Sequence, residues 1–106
     1  MVETAPGSAR IDLPLDRIRE ICLRFPVREL SIFGSALRAD FRPDSDLDLL
    51  VEFQPDARVG FIELGVLEEE PERLFGRKVD LITKRSVRPE LRREIIGSAR
   101  VLYEAA

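Results

Sequence analysis

Gly34-Ser35-Ala36-Leu37-Arg38, followed a few residues later by Ser45-Asp46-Leu47-Asp48-Leu49-Leu50-Val51, is the stretch of this 106-residue chain whose reading decides the fold. The second run alternates acidic and apolar residues and then turns wholly apolar, the pattern of a strand laid on a core. In extended backbone Asp46 and Asp48 point to one side, while Leu47, Leu49 and Val51 point to the other. Two carboxylates held close together repel each other, and hard divalent cations that prefer oxygen ligands, such as Mg²⁺, relieve the repulsion. Upstream, Leu30-Ser31-Ile32-Phe33 reads as a short buried strand that runs into Gly34-Ser35, with helix-forming residues beyond. A strand ending in Gly-Ser at a helix start aims free N–H groups and a hydroxyl at one point, an arrangement suited to phosphate.

A third acid sits in Lys78-Val79-Asp80-Leu81-Ile82-Thr83, another short apolar strand with a single internal carboxylate. Such a strand tolerates an internal Asp mainly for function or for pairing. Each feature alone has a plain explanation: Asp-x-Asp occurs at solvated strand edges, and Gly-Ser is a common turn. Arg38 is read two ways, as a surface residue paired with Asp40 or Asp44 or as a neutraliser of phosphate charge. The order of the three elements points to a nucleotide and metal site.

Gly34, Ser35, Arg38, Asp46, Asp48 and Asp80 together resemble the signature of the DNA polymerase β superfamily of nucleotidyltransferases. The likeness is to its minimal nucleotidyltransferase (MNT) branch, found as antitoxins beside HEPN-domain toxins. It spans about Ile18 to Tyr103 and includes Arg42-Pro43-Asp44-Ser45-Asp46-Leu47-Asp48-Leu49-Leu50-Val51-Glu52-Phe53 and Gly76-Arg77-Lys78-Val79-Asp80-Leu81-Ile82-Thr83. Ala36 and Ala39 depart from the residues usual in the branch, and Pro71 interrupts a segment that is usually one helix. The resemblance implies two Mg²⁺ ions on Asp46, Asp48 and Asp80, ATP held by Gly34, Ser35, Arg38 and Ser45, and transfer of AMP to a tyrosine hydroxyl of a HEPN-domain ribonuclease toxin. Two rivals belong to other classes: an antitoxin that blocks its partner by contact alone, and a transferase acting on a small molecule such as an aminoglycoside.

Composition narrows the field independently. A hydrophobic fraction of 44% with 35% charged residues is that of a soluble globular domain. No apolar run approaches the roughly 20 residues that span a bilayer, and Met1-Val2-Glu3 lacks a secretory pattern, so a cytoplasmic protein without membrane contact is expected. Histidine is absent, which excludes a histidine general base and a histidine-ligated zinc. Cys22 is the single cysteine, so no internal disulfide forms and core packing is its expected role. A net charge of −3 argues against direct nucleic-acid binding, although residues 77–106 carry 8 basic and 4 acidic side chains, net +4. Arg85, Arg88, Arg92 and Arg93 in that third are either a solvated face or a docking surface, and Glu68-Glu69-Glu70 is expected to be a solvated face.

The expected organisation is a flexible tail at 1–11 and one domain at 12–106. A first helix opens at Asp12 or Pro14 and closes at Pro26, with Leu15, Ile18, Ile21, Cys22 and Phe25 at helical spacing. Strands are expected at about 29–33, 46–53 and 78–83, a short helix at 35–39, and an edge strand at Val101-Leu102-Tyr103. Phe61, Ile62, Leu64, Val66, Leu67, Leu74 and Phe75 form an apolar stripe on a helix that Pro71 either splits, kinks or restarts. Pro89 opens a last helix with Leu91, Ile95 and Ile96 inward. The fold class is α/β (α+β), a small mixed sheet of three to four strands packed against helices, as in the nucleotidyltransferase fold.

Overall fold

The computed structural model describes residues 2–3, 13–34 and 45–105. The short helix expected at 35–39 and most of the loop expected before Ser45 lie outside them. Of the expected tail only Val2–Glu3 (β1) is described, paired antiparallel with Leu13–Pro14 (β2). Helix α1 (Leu15–Leu23) leads into strand β3 (Val27–Phe33), followed by β4 (Leu47–Phe53), helix α2 (Phe61–Phe75), β5 (Val79–Thr83), helix α3 (Pro89–Ser98) and β6 (Arg100–Glu104). The four long strands form one sheet in the order β5-β4-β3-β6. Only β4 and β5 run parallel, because α2 provides the crossover that parallel neighbours require; the other pairs are antiparallel. This is the mixed four-stranded sheet the pattern implied, with β6 as an edge strand.

The core lies on the face presented by Leu30 and Ile32 of β3, Leu47, Leu49 and Val51 of β4, and Val79 and Leu81 of β5. Ile18, Ile21 and Cys22 of α1 and Leu67 of α2 cover it. Burying each of these large side chains contributes roughly 1.5–3 kcal/mol. Leu50 and Ser31, partners across β3 and β4 on the other face, are also buried, so both sides of the central strands are shielded at mid-strand. Burial pushes the Cys22 thiol up to about 12, well above the ordinary 9.0. Its reactive thiolate is therefore suppressed at neutral pH. We expect Cys22 to resist iodoacetamide at pH 8 in the native protein and to alkylate promptly in guanidinium; intact-mass analysis reads both, and equal rates would contradict its packing.

Helix α2 departs from expectation. It runs unbroken through Pro71, with neither a split nor a fresh start there. An interior proline costs about 3 kcal/mol through its missing donor and its clash with the preceding turn. Tertiary anchors on both sides offset this. Leu67 and Pro71, one turn apart, are both buried, and Pro71 lines a small apolar cavity with Ile18, Ile21, Leu30 and Phe75. Glu70 pairs with Arg24 at 2.6 Å, and Gly76, at φ +66°, caps the end by donating its N–H to Glu72 O at 2.9 Å. The apolar stripe is also narrower than expected: Leu64, Leu67, Pro71, Leu74 and Phe75 turn inward, whereas Phe61 and Ile62 are 94% and 81% exposed. In α3, Ile95 and Ile96 are half-buried but Leu91 is exposed.

Glu68-Glu69-Glu70 does not form the solvated face expected of it. Glu69 alone of the three is exposed. Glu70 holds Arg24, and Glu68 accepts the Leu81 backbone N–H at 3.1 Å.

Candidate active site

The acids gather where β4 and β5 begin. Asp48 is the second residue of β4 and stands directly across from Asp80 of β5 in the parallel register. Neighbouring strands lie about 4.8 Å apart, so the two carboxylates occupy adjoining places in one row. Asp48 is half-buried and Asp80 is exposed. Asp46, also exposed, lies one residue before β4 begins. On its other side Asp48 pairs with Phe33, the last residue of β3. The chain then turns at Gly34, where φ is +75°.

Gly34 and Asp48 fit each other closely. A Cβ added at Gly34 would land on Asp48 Oδ2. The missing side chain therefore does two things: it admits a backbone conformation that other residues rarely adopt, and it leaves room for the carboxylate against the turn. The structure brings Gly34, Asp48 and Asp80 together at one end of the sheet. Ser35 and Arg38 lie outside the described residues.

Ser45 and Asp46 are held by contacts that the sequence did not disclose. The Ser45 carbonyl accepts a hydrogen bond from Arg77 Nη1 at 3.2 Å, and Leu47 donates its N–H to Lys78 O at 3.0 Å. Both flanks of Asp46 are thus tied to the segment entering β5. Arg77 and Lys78 belong to the Gly76-Arg77-Lys78-Val79-Asp80 run, so the signal was present as a motif, but no role could be assigned without the pairing of β4 with β5.

Part of the basic C-terminal third lies apart from the acids. Lys84, Arg85 and Arg92 line an open cleft of about 590 Å³ at the far ends of β4 and β5, together with Glu52, Gln54 and Thr83. Lys84 Nζ is bracketed by Glu29 at 3.3 Å and Glu52 at 3.4 Å. Its partial burial would lower the amine's pKa, but these two carboxylates outweigh that and hold it above the usual range.

Among the described residues no three acidic, cysteine or histidine side chains come close enough to enclose a metal ion by themselves. The donor set nevertheless suits Mg²⁺, which usually takes one or two carboxylates and completes its shell with water and substrate phosphates. Asp48 and Asp80, paired across the strands, supply hard oxygen donors of that kind.

The model of the nucleotidyltransferase domain family matches residues 15–102, nearly the whole described chain. The chain belongs to this family. Protein adenylyltransferase MntA of Thermococcus cleftensis is 39% identical over 79 residues, covering 74% of this chain and 77% of that protein. That similarity assigns the chain to the minimal, MntA-like branch expected from its motifs. Among solved structures, a toxin–antitoxin complex with AMP-PNP superposes with a TM-score of 0.70 at 20% identity, over 88% of this chain and 75% of the other. The structure of a tri-AMPylated HEPN toxin of Shewanella oneidensis in complex with its MNT antitoxin matches at a TM-score of 0.62 and 17% identity, over 86% and 70%. At those identities the two structures establish the shared fold.

Proposed function

We propose that this nucleotidyltransferase is a protein adenylyltransferase antitoxin, which transfers AMP from ATP to a tyrosine hydroxyl of a HEPN-domain ribonuclease toxin. The observation that carries the proposal is the Asp48–Asp80 pair against the Gly34 turn, in a chain 39% identical to a protein adenylyltransferase. The working unit is a single domain at residues 12–106 acting in the cytoplasm, where ATP is available; no helix among the described residues is long and apolar enough to cross a membrane. No direct contact with nucleic acid is required.

In this reading Gly34 and Ser35, with Ser45 and Arg38, bind the triphosphate and orient its α-phosphorus toward the acids. Two Mg²⁺ ions on Asp46, Asp48 and Asp80 would supply charge neutralisation at the attacking and leaving oxygens. The acceptor's hydroxyl oxygen attacks the α-phosphorus, and the bond to the bridging oxygen of the β-phosphate breaks on the opposite side. Pyrophosphate leaves. Asp80, exposed at the sheet edge and open to an incoming acceptor, takes the hydroxyl proton. Its place on an edge strand of the sheet suits a protein acceptor, which must approach from outside.

Co-expression with the HEPN-domain protein encoded nearby tests the proposal. Intact-mass analysis is expected to find that partner heavier by one or more AMP units with the wild type. It should be unmodified and toxic with the Asp46→Asn/Asp48→Asn double variant. A partner neutralised without any gain in mass would refute transfer in favour of blockade by contact.

A further inference from the structure

Strand β5 is an edge of the sheet, and alternate residues of an edge strand direct their backbone N–H groups away from it. In β5 these residues are Val79, Leu81 and Thr83. The two that flank Asp80 are both taken up: Val79 donates to Glu72 Oε2 at 3.1 Å and Leu81 to Glu68 Oε2 at 3.1 Å. The fit follows from the two repeats. Four residues of helix rise about 6 Å, close to the roughly 6.6 Å spanned by two residues of strand. Glu68 and Glu72, one helical turn apart, therefore match N–H groups two residues apart along a strand running the other way.

The residue between those two N–H groups is Asp80. We propose that Glu68 and Glu72 are positioning residues for Asp80: they clamp the backbone on both sides of it and keep its carboxylate in register with Asp48. The proposal rests on the reading of these acids as a transfer site. Asp80 sits on an edge strand, with a neighbouring strand on one side only, where fraying would otherwise be greatest. A carboxylate accepting an N–H makes a stronger bond than a neutral acceptor, and here two act on one short strand. Neither glutamate needs to touch ATP or the acceptor. Their effect passes through the backbone of Val79 and Leu81.

The test uses Glu68→Leu, Glu72→Leu and Glu72→Gln in the full chain, the last keeping a side-chain oxygen as acceptor. Amide exchange at Val79 and Leu81 is expected to quicken at least about tenfold in the corresponding Leu variant, with the β4 amide of Leu50, which points toward β3 rather than β5, unchanged. The kcat for AMP transfer should fall about tenfold while the KM for ATP stays within about threefold, since Asp80 serves the acceptor side. Glu72→Gln should recover most of both. Unchanged exchange at Val79 and Leu81 would overturn the clamps. Faster exchange with normal kcat per folded molecule would reduce the glutamates to guards against edge-to-edge association and overturn the positioning role. A wild type with no transferase activity would overturn the functional reading and the positioning role with it, while the exchange rates would still report the clamps.

Discussion

Replacing Asp48 with Asn is expected to lower AMP transfer by about 10²–10³-fold, the scale lost when a preorganised group that stabilises transition-state charge is removed. The fold should survive. Asn has nearly the same shape, and Asp48 faces another carboxylate, Asp80, across the parallel register. Removing one of two adjoining negative charges relieves repulsion, so the thermal midpoint should hold or rise. Loss of activity without loss of stability distinguishes a residue kept for chemistry from one kept for packing. Asp46→Asn is expected to behave alike. Asp80→Asn should leave ATP affinity within a few-fold and reduce transfer by about 10²-fold, the effect of losing a positioned base. Single-turnover transfer from labelled ATP, with calorimetric titration of ATP in the presence and absence of Mg²⁺, measures these quantities. Full transfer by Asp48→Asn would end the two-metal reading.

Gly34→Ala is expected to be nearly as damaging, by a different route. At φ +75° a residue with a Cβ costs about 1–2 kcal/mol, and here the new methyl would also strike Asp48 Oδ2. The carboxylate has to swing aside, and a misplacement of about 1 Å at a reacting centre costs about 10²-fold in rate. A destabilisation of about 1 kcal/mol lowers the midpoint of a domain of this size by about 4–8 °C. The two contributions can be separated by a double-mutant cycle. In an Asp48→Ala background the collision disappears, so Gly34→Ala should cost only its backbone share. An equal stability loss in both backgrounds would mean that the close approach of Gly34 to Asp48 has no energetic consequence.

The elements that could be read from the chain are those whose evidence is local. Alternation in Leu47-Asp48-Leu49 and the apolar runs at 30–33 and 79–82 mark β3, β4 and β5 to within two residues, since burial of one face imposes a period of two. The same local patterns singled out Asp46, Asp48, Asp80 and Gly34 as candidates, because an acid inside an apolar strand and a glycine at its end have few purely structural uses. Pro71 misled for the opposite reason. Its local penalty is real, but it is offset by burial beside Ile18, Ile21 and Leu30, which lie on other elements far along the chain.

Composition and periodicity alone determined a small mixed α/β fold without histidine, with three acids on or beside its strands. The tertiary structure decided which acids meet. The parallel crossover of β4 and β5 sets Asp48 against Asp80, brings Arg77 to the Ser45 carbonyl, and turns Glu68 and Glu72 from members of an acidic run into partners of β5. The reason is physical: a side chain's direction follows from local backbone geometry, which a sequence pattern reports. Its neighbour across a sheet or beside a helix follows from how the apolar faces of separate elements bury one another, and that is settled only when the core forms.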